Sequence, residues 1–175
     1  MSPVRIVTAP PLVLEPLLAT HAPEMFTVLT DPAIYEFENA PPGSEEALTR
    51  RYAMLERRQS PNGEELWLNW VIRLPSGALA GYVQATVLKS GSAYVAYELS
   101  SRYWRRGIGS AAVAAMLTEL RLAYAVRRYV AVLKARNYRS LALLRKLGFV
   151  PATEEQAMEL HVEPDEVAMI KRADH

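Results

Sequence analysis

Tyr103-Trp104-Arg105-Arg106-Gly107-Ile108-Gly109-Ser110 sits between a strand-like run, Ala93 to Leu99, and a long run of helical character. From Gly107 to about Val126 the chain is rich in alanine and leucine, and Ile108, Ala111, Ala112, Ala115 and Leu122 repeat with helical spacing. Two glycines at the entrance of a helix let backbone approach a ligand closely. The first amides of such a helix have no carbonyl partner and lie at the positive end of its dipole. Arg105 and Arg106 add two full charges at the same place. This combination suits a pyrophosphate, although two glycines can also be no more than an ordinary helix entrance.

Upstream, Leu12 to Leu17 reads as a short strand ending at Pro16, and Thr20 is expected to cap a helix through Leu29. Asp31-Pro32 reads as a second helix start. Ser44-Glu45-Glu46 opens a stronger helix through about Arg58, with acids in its first turn and arginines in its last. Pro61-Asn62-Gly63 stops it. Three strands at hairpin spacing come next: Leu66 to Leu74, Ala80 to Leu88 and Ala93 to Leu99. Downstream of the long helix, Tyr129 to Leu133 is strand-like and Ser140 to Leu147 is a helix ended by Gly148. Phe149 begins a strand, and Ala157–Glu163 with Glu166–Lys171 is expected to form a closing hairpin around Pro164-Asp165. Helices, an antiparallel meander and then strand–helix–strand define an α+β sheet protein, residues 1–175 forming one domain.

The chain has 175 residues, half of them hydrophobic, and a formal net charge of +1. That charge is a cancellation. Residues 1–101 carry 7 Lys/Arg against 11 Asp/Glu, residues 102–146 carry 11 against Glu119 alone, and residues 147–175 carry 2 against 7. A basic quarter inside an acidic frame points to a polyanion, either nucleic acid or a phosphate-rich small molecule. Aromatic residues are sparse in residues 105–146 (Tyr124, Tyr129, Tyr138), which disfavours base stacking and hence RNA. The chain has no cysteine, so disulfides, thiolate metal sites and a cysteine nucleophile are excluded. His21, His161 and His175 are too scattered for a zinc cluster, and no metal is expected. Met1 to Thr8 lacks the pattern of a signal peptide. No stretch approaches the roughly 18 apolar residues of a membrane span. The expectation is a cytoplasmic protein.

Gly107-x-Gly109-x-x-Ala112 matches the loose dinucleotide fingerprint. That pattern needs its first glycine at the strand end and a carboxylate about 20 residues on. Here Tyr103 to Arg106 intervene, and the later positions are Arg127, Arg128 and Lys134. The P-loop pattern fails too, because no Lys-Ser or Lys-Thr comes after the glycines. The order strand, Arg105-Arg106-Gly107-Ile108-Gly109-Ser110, long helix, strand, Asn137-x-x-Ser140 and Leu147-Gly148-Phe149 resembles the GNAT superfamily of acyl-CoA-dependent N-acyltransferases. With Trp104 at the head of the loop, it is similar to the ribosomal-protein alanine N-acetyltransferase branch.

The resemblance implies a GNAT-like mixed sheet, flanked by helices on both faces, with two parallel strands splayed apart: Ala93–Leu99 and Tyr129–Leu133. It implies acetyl-CoA as cosubstrate, held by Leu99, Arg105, Arg106, Gly107, Gly109, Ser110 and Asn137. The Leu99 N–H would lie beside the thioester carbonyl. It also implies an amine acceptor, peptide N-terminus or small molecule, and leaves room for a homodimer. Without cysteine an acyl-enzyme on sulfur is excluded, so transfer is expected to be direct, in a ternary complex. Many members carry a Tyr as acid four residues before the Gly of Leu-Gly-Phe; this chain has Leu144. Ser140, one turn earlier on the same helix face, is the candidate acid, with Tyr138 in reserve. Glu98 is the candidate base, Glu36 a further carboxylate facing the acceptor. Trp67 and Trp70 stand at odd spacing, so at most one can line the pocket. A CoA-binding module without turnover is the alternative reading.

Overall fold

Three alternating segments build the middle of the sheet. In the computed structural model, which describes residues 3–173, they are β3 (Glu65–Arg73), β4 (Leu79–Leu88) and β5 (Ser92–Leu99). They pair antiparallel through tight turns, as their spacing predicts. On the outer side lie β1 (Val7–Ala9) and β2 (Leu12–Pro16). On the other side lie β6 (Arg128–Lys134), β8 (Glu166–Arg172) and β7 (Val150–Pro151). The order is β1-β2-β3-β4-β5-β6-β8-β7, and β5 with β6 is the parallel pair.

Helices cover both faces. On one lie α3 (Ile108–Tyr124) and α4 (Tyr138–Lys146). Ala112, Val113, Met116, Leu117 and Leu120 of α3 and Leu144 of α4 join the inward residues of β2 to β6 in the larger core. On the other lie α1 (Ala22–Leu29) and α2 (Glu45–Leu55), whose Met25, Leu29, Leu48 and Tyr52 bury Leu17, Val71 and Leu79 in a second core.

The β5–β6 pair determines where a site can form. Only Ser92, Ala93 and Tyr94 pair with β6, opposite Arg128, Tyr129 and Val130. Beyond them β5 stays on β4 as far as Leu99 opposite Gly81, while β6 stays on β8 as far as Lys134 opposite Glu166. The two parallel strands therefore part like a V, the splay implied by the resemblance. A bulge in β4 lies beside its open end: Ile72 pairs with Gly81 but Arg73 with Leu79, leaving Ala80 extra.

Several boundaries differ from expectation. The expected strand Ala157–Glu163 is instead part of a helix and the turn after it: α5 spans Glu154–Glu159, and β8 pairs with β6 and β7. The Thr153 hydroxyl accepts from the Gln156 amide and the Gln156 side-chain oxygen accepts from the Thr153 amide, so a capping box overrides the strand-like alternation. Thr20 lies in a 3-10 turn and α1 starts at Ala22 behind His21. Asp31 does cap, but it opens only a single 3-10 turn, Pro32–Tyr35. The helix opened by Ser44 ends at Leu55, short of Arg58, which takes φ 62°.

Candidate active site

The loop after β5 has a backbone built for an anion. Arg105 and Gly107 both take left-handed conformations, φ 59° and 75°, which turn the backbone tightly at the entrance of α3. A Cβ at Gly107 would meet nothing within 4 Å, so its glycine answers to backbone conformation. The amides of Ile108, Gly109 and Ser110 precede the first intrahelical bond, which Ala111 makes to Gly107, and the first turn of α3 holds no acid. Arg105 and Arg106 are exposed and, among the described residues, form no ion pair. These features fit the pyrophosphate of CoA. Gly109 has a second duty: a Cβ there would lie 3.1 Å from Leu143 Cδ1 and 3.7 Å from Leu99 Cδ2, so α3 enters closely against α4 and β5.

The basic quarter is only partly devoted to this loop. Lys134 pairs with Asp165 and Glu166, at 3.0 and 3.3 Å, and Arg139 pairs with Glu36. Arg136 donates to the Phe37 carbonyl at 3.1 Å. Those cations hold structure together.

Leu99 lies at the open end of the splay. Ser100 donates its amide to Ala80 O at 2.9 Å, so by strand alternation the Leu99 N–H points away from β4, into the gap that β6 has left. The Leu99 carbonyl accepts the Trp104 indole N–H at 2.8 Å, which ties the anion loop to the strand end.

A cleft of about 580 Å³ opens on the α1/α2 side and reaches this gap. Tyr35, Tyr52, Tyr82, Glu98 and Val132 of β6 are among its walls. Tyr97 lines it too, although Tyr97 and Glu98 belong to opposite faces of β5. The cleft therefore reaches the edge of β5 where the strands part. Glu98, half-buried, lies opposite Tyr82 of β4. Burial raises its pKa above the usual carboxylate value, against the Tyr82 hydroxyl and Arg51, which lower it. Asn39 donates to its Oε1 at 3.4 Å.

On the other face the Tyr97 hydroxyl donates to the Ser140 carbonyl at 3.3 Å. Burial pushes the Tyr97 phenol up to about 12, and the Ser140 side chain acts in the lowering sense. Tyr97 carries no signal in the sequence, where nothing joins a strand residue to a helix start 43 positions on. Leu144 is fully buried in the core, at 1 % exposure, and offers no proton. Asn137 caps α4 by accepting from Ser140 N at 3.2 Å and donates to Glu38 at 2.8 Å, so both ends of its amide are engaged within the protein. Tyr138 is 58 % exposed and packs edge-on against Phe37. Glu36 is held by Arg139. Neither tryptophan lines the cleft: Trp70 is buried and donates to Arg5 O, and Trp67 donates to Glu65. Among the described residues no three His, Asp or Glu side chains gather as a metal site, and no helix is long and apolar enough to cross a membrane. His175 lies outside the described residues.

A parallel pair that parts beyond Tyr94, an anion loop after its first strand and a cleft that reaches the gap are the parts an acyl-CoA-dependent transferase requires. The family model of the acetyltransferase (GNAT) domain matches residues 11–150, and the chain belongs to that family of acetyl-CoA-dependent acetyltransferases. No curated protein sequence matches the chain. Solved structures share the fold along nearly its whole length. A ribosomal L7/L12 alpha-N-protein acetyltransferase (RimL) in complex with coenzyme A is 19 % identical, with TM-score 0.78 over 97 % of this chain and 98 % of that one. The ribosomal-protein-S5-alanine acetyltransferase of Vibrio fischeri is 19 % identical, with TM-score 0.71 over 93 % of each. A microcin C7 self immunity acetyltransferase in complex with acetyl-CoA and AMP is 18 % identical, with TM-score 0.74 over 93 % and 92 %.

Proposed function

We propose that this protein moves an acetyl group from acetyl-CoA directly to a primary amine, a peptide N-terminus or a small molecule, within a ternary complex. The observation that carries this reading is the cleft that reaches the β5–β6 gap with Glu98 among its walls, while the Tyr97 hydroxyl meets Ser140 on the opposite face of β5. Acetyl-CoA supplies a thioester whose carbonyl carbon takes the amine and whose sulfur leaves as thiolate.

The chain's own groups divide the remaining work. Arg105, Arg106 and the first amides of α3 hold the pyrophosphate. The Leu99 N–H stabilises negative charge developing on the carbonyl oxygen. Glu98 takes the proton the amine loses as the N–C bond forms; its raised pKa makes it a stronger base than an exposed carboxylate. As the C–S bond breaks, the Tyr97 hydroxyl gives the thiolate its proton, and the Ser140 backbone carbonyl orients that hydroxyl. Asn137 shapes the corner on which the cofactor arm lies. With no cysteine in the chain, no acetyl group rests on a thiol of the protein in between.

The reading is tested by incubating the protein with acetyl-CoA, a panel of primary amines and N-terminal peptides, and the same acceptors with blocked amines. Mass spectrometry should find acetyl groups on free primary amines alone. Tight CoA binding with no acceptor modified would make this a CoA-binding module without turnover.

A further inference from the structure

The segment Glu36 to Gly43 has no regular secondary structure, yet from Glu38 onward it walls the cleft. Side-chain ties therefore fix it, and four consecutive residues each make one. Glu36 pairs with Arg139, and the Phe37 carbonyl accepts from Arg136 at 3.1 Å. Glu38 accepts from Asn137 at 2.8 Å, and Asn39 donates to Glu98 at 3.4 Å. Three of these ties reach residues 136–139, at the corner between β6 and α4. The fourth reaches the carboxylate in the cleft.

Arg139 stands out among them. Its guanidinium lies 4.4 Å from the centre of the Trp104 ring, 5.1 Å from Phe37 and 5.2 Å from Tyr138. Trp104 in turn holds the Leu99 carbonyl and heads the anion loop. The contacts thus run from Leu99 through Trp104 and Arg139 into the segment, and from Asn39 back to Glu98, around the mouth of the gap. An exposed ion pair alone contributes little. A planar cation that stacks on a ring of the donor loop and a ring of the acceptor wall, while pairing with a carboxylate, fixes geometry that a flexible ammonium does not.

We infer that Arg139 is a positioning residue for amine specificity: it docks the 36–43 segment onto the donor half and so completes the acceptor wall. The inference rests on the cleft being the acceptor site, not on Glu98 being the base. Charged groups facing Arg139 are Glu36, in contact, and Arg136 and Glu38, on the neighbouring ties.

The test compares Arg139→Lys and Arg139→Met with the native protein in three measurements: amide hydrogen exchange across 36–43, acetyl-CoA affinity by calorimetry, and KM for a reactive primary amine. In both variants exchange in that segment should accelerate about tenfold or more, and the amine KM should rise by a similar factor, while acetyl-CoA affinity stays within about twofold. Unchanged exchange and KM in Arg139→Met would overturn the inference. So would a loss of acetyl-CoA affinity equal to the rise in KM, because Arg139 would then belong to the donor site. Full activity in Glu98→Gln removes Glu98 as base without touching the exchange result, which keeps the two failures distinct.

Discussion

The Tyr97 hydroxyl meets the backbone carbonyl of Ser140 at 3.3 Å, joining the middle of β5 to the first turn of α4. The helix position that bears a Tyr in many relatives is Leu144 here, and it is sealed in the core. A phenol nonetheless reaches this side of the gap, from the strand instead of the helix. Its ordinary state at neutral pH is protonated, as a proton donor requires, since burial pushes it up to about 12.

Tyr97→Phe removes one oxygen and little volume. It should lower turnover about 100-fold, the usual contribution of a positioned acid, and leave acetyl-CoA affinity unchanged. Ser140→Ala should cause a smaller drop. Rates of CoA thiol release in the two variants check this. Native turnover in Tyr97→Phe together with a large loss in Ser140→Ala would make the serine the acid by itself.

Glu98 predicts a pH dependence. Burial raises its pKa above the ordinary 4.5, so kcat/KM should rise with pH through a midpoint above 4.5, and Glu98→Gln should abolish that limb. Stability has the opposite sign. The folded state is penalised above the raised pKa, where Glu98 is charged in both states, and the penalty vanishes below the unfolded value. Glu98→Gln should therefore melt at a higher temperature than the native protein at neutral pH. The difference should shrink as pH falls through the folded pKa, a trend that thermal unfolding at several pH values will reveal.

Gly81 lies against the strand end that carries this chemistry. A Cβ at this position would fall 2.0 Å from the Glu98 carbonyl oxygen and 2.9 Å from Leu99 Cα, both backbone atoms that cannot step aside. Gly81→Ala should cost about 3 kcal/mol, from overpacking combined with a φ of 157°. Chemical denaturation measures the loss. Activity of the folded fraction should also fall, because Glu98 and Leu99 must shift.

Gly109 separates packing from ligand approach. A methyl group there meets the flexible end of Leu143 at 3.1 Å, so Gly109→Ala should cost about 1 kcal/mol and weaken acetyl-CoA affinity only modestly. Gly109→Val adds two methyls against Leu143 and Leu99, which should push the first turn of α3 off α4 and abolish acetyl-CoA binding. Calorimetry on both variants provides the comparison.

Most of this architecture can be read from the chain because its signals are local. Turn residues separate β3, β4 and β5, and Gly107 and Gly109 mark the entrance of α3. The parting of β5 from β6 is legible only through the family resemblance. The capping box at Thr153 and Gln156 is equally local, but the alternating residues after it read as a strand. The three residues of β1 lie below the length at which alternation carries information. Glu98 is legible as a lone carboxylate beside the strand end. Tyr97 is not, since its role depends on a contact across two elements. The ties of Glu36, Phe37 and Glu38 reach partners 99 to 103 positions away, a separation at which sequence pattern says nothing about proximity.

The central claim is direct transfer through the gap, and an initial-rate matrix of CoA thiol release tests it most directly. Acetyl-CoA and a primary amine are varied together, and with no thiol in the protein the whole signal belongs to CoA. Reciprocal plots should intersect, because both substrates must be present before either bond changes. Parallel plots, or amine-independent release, would contradict it.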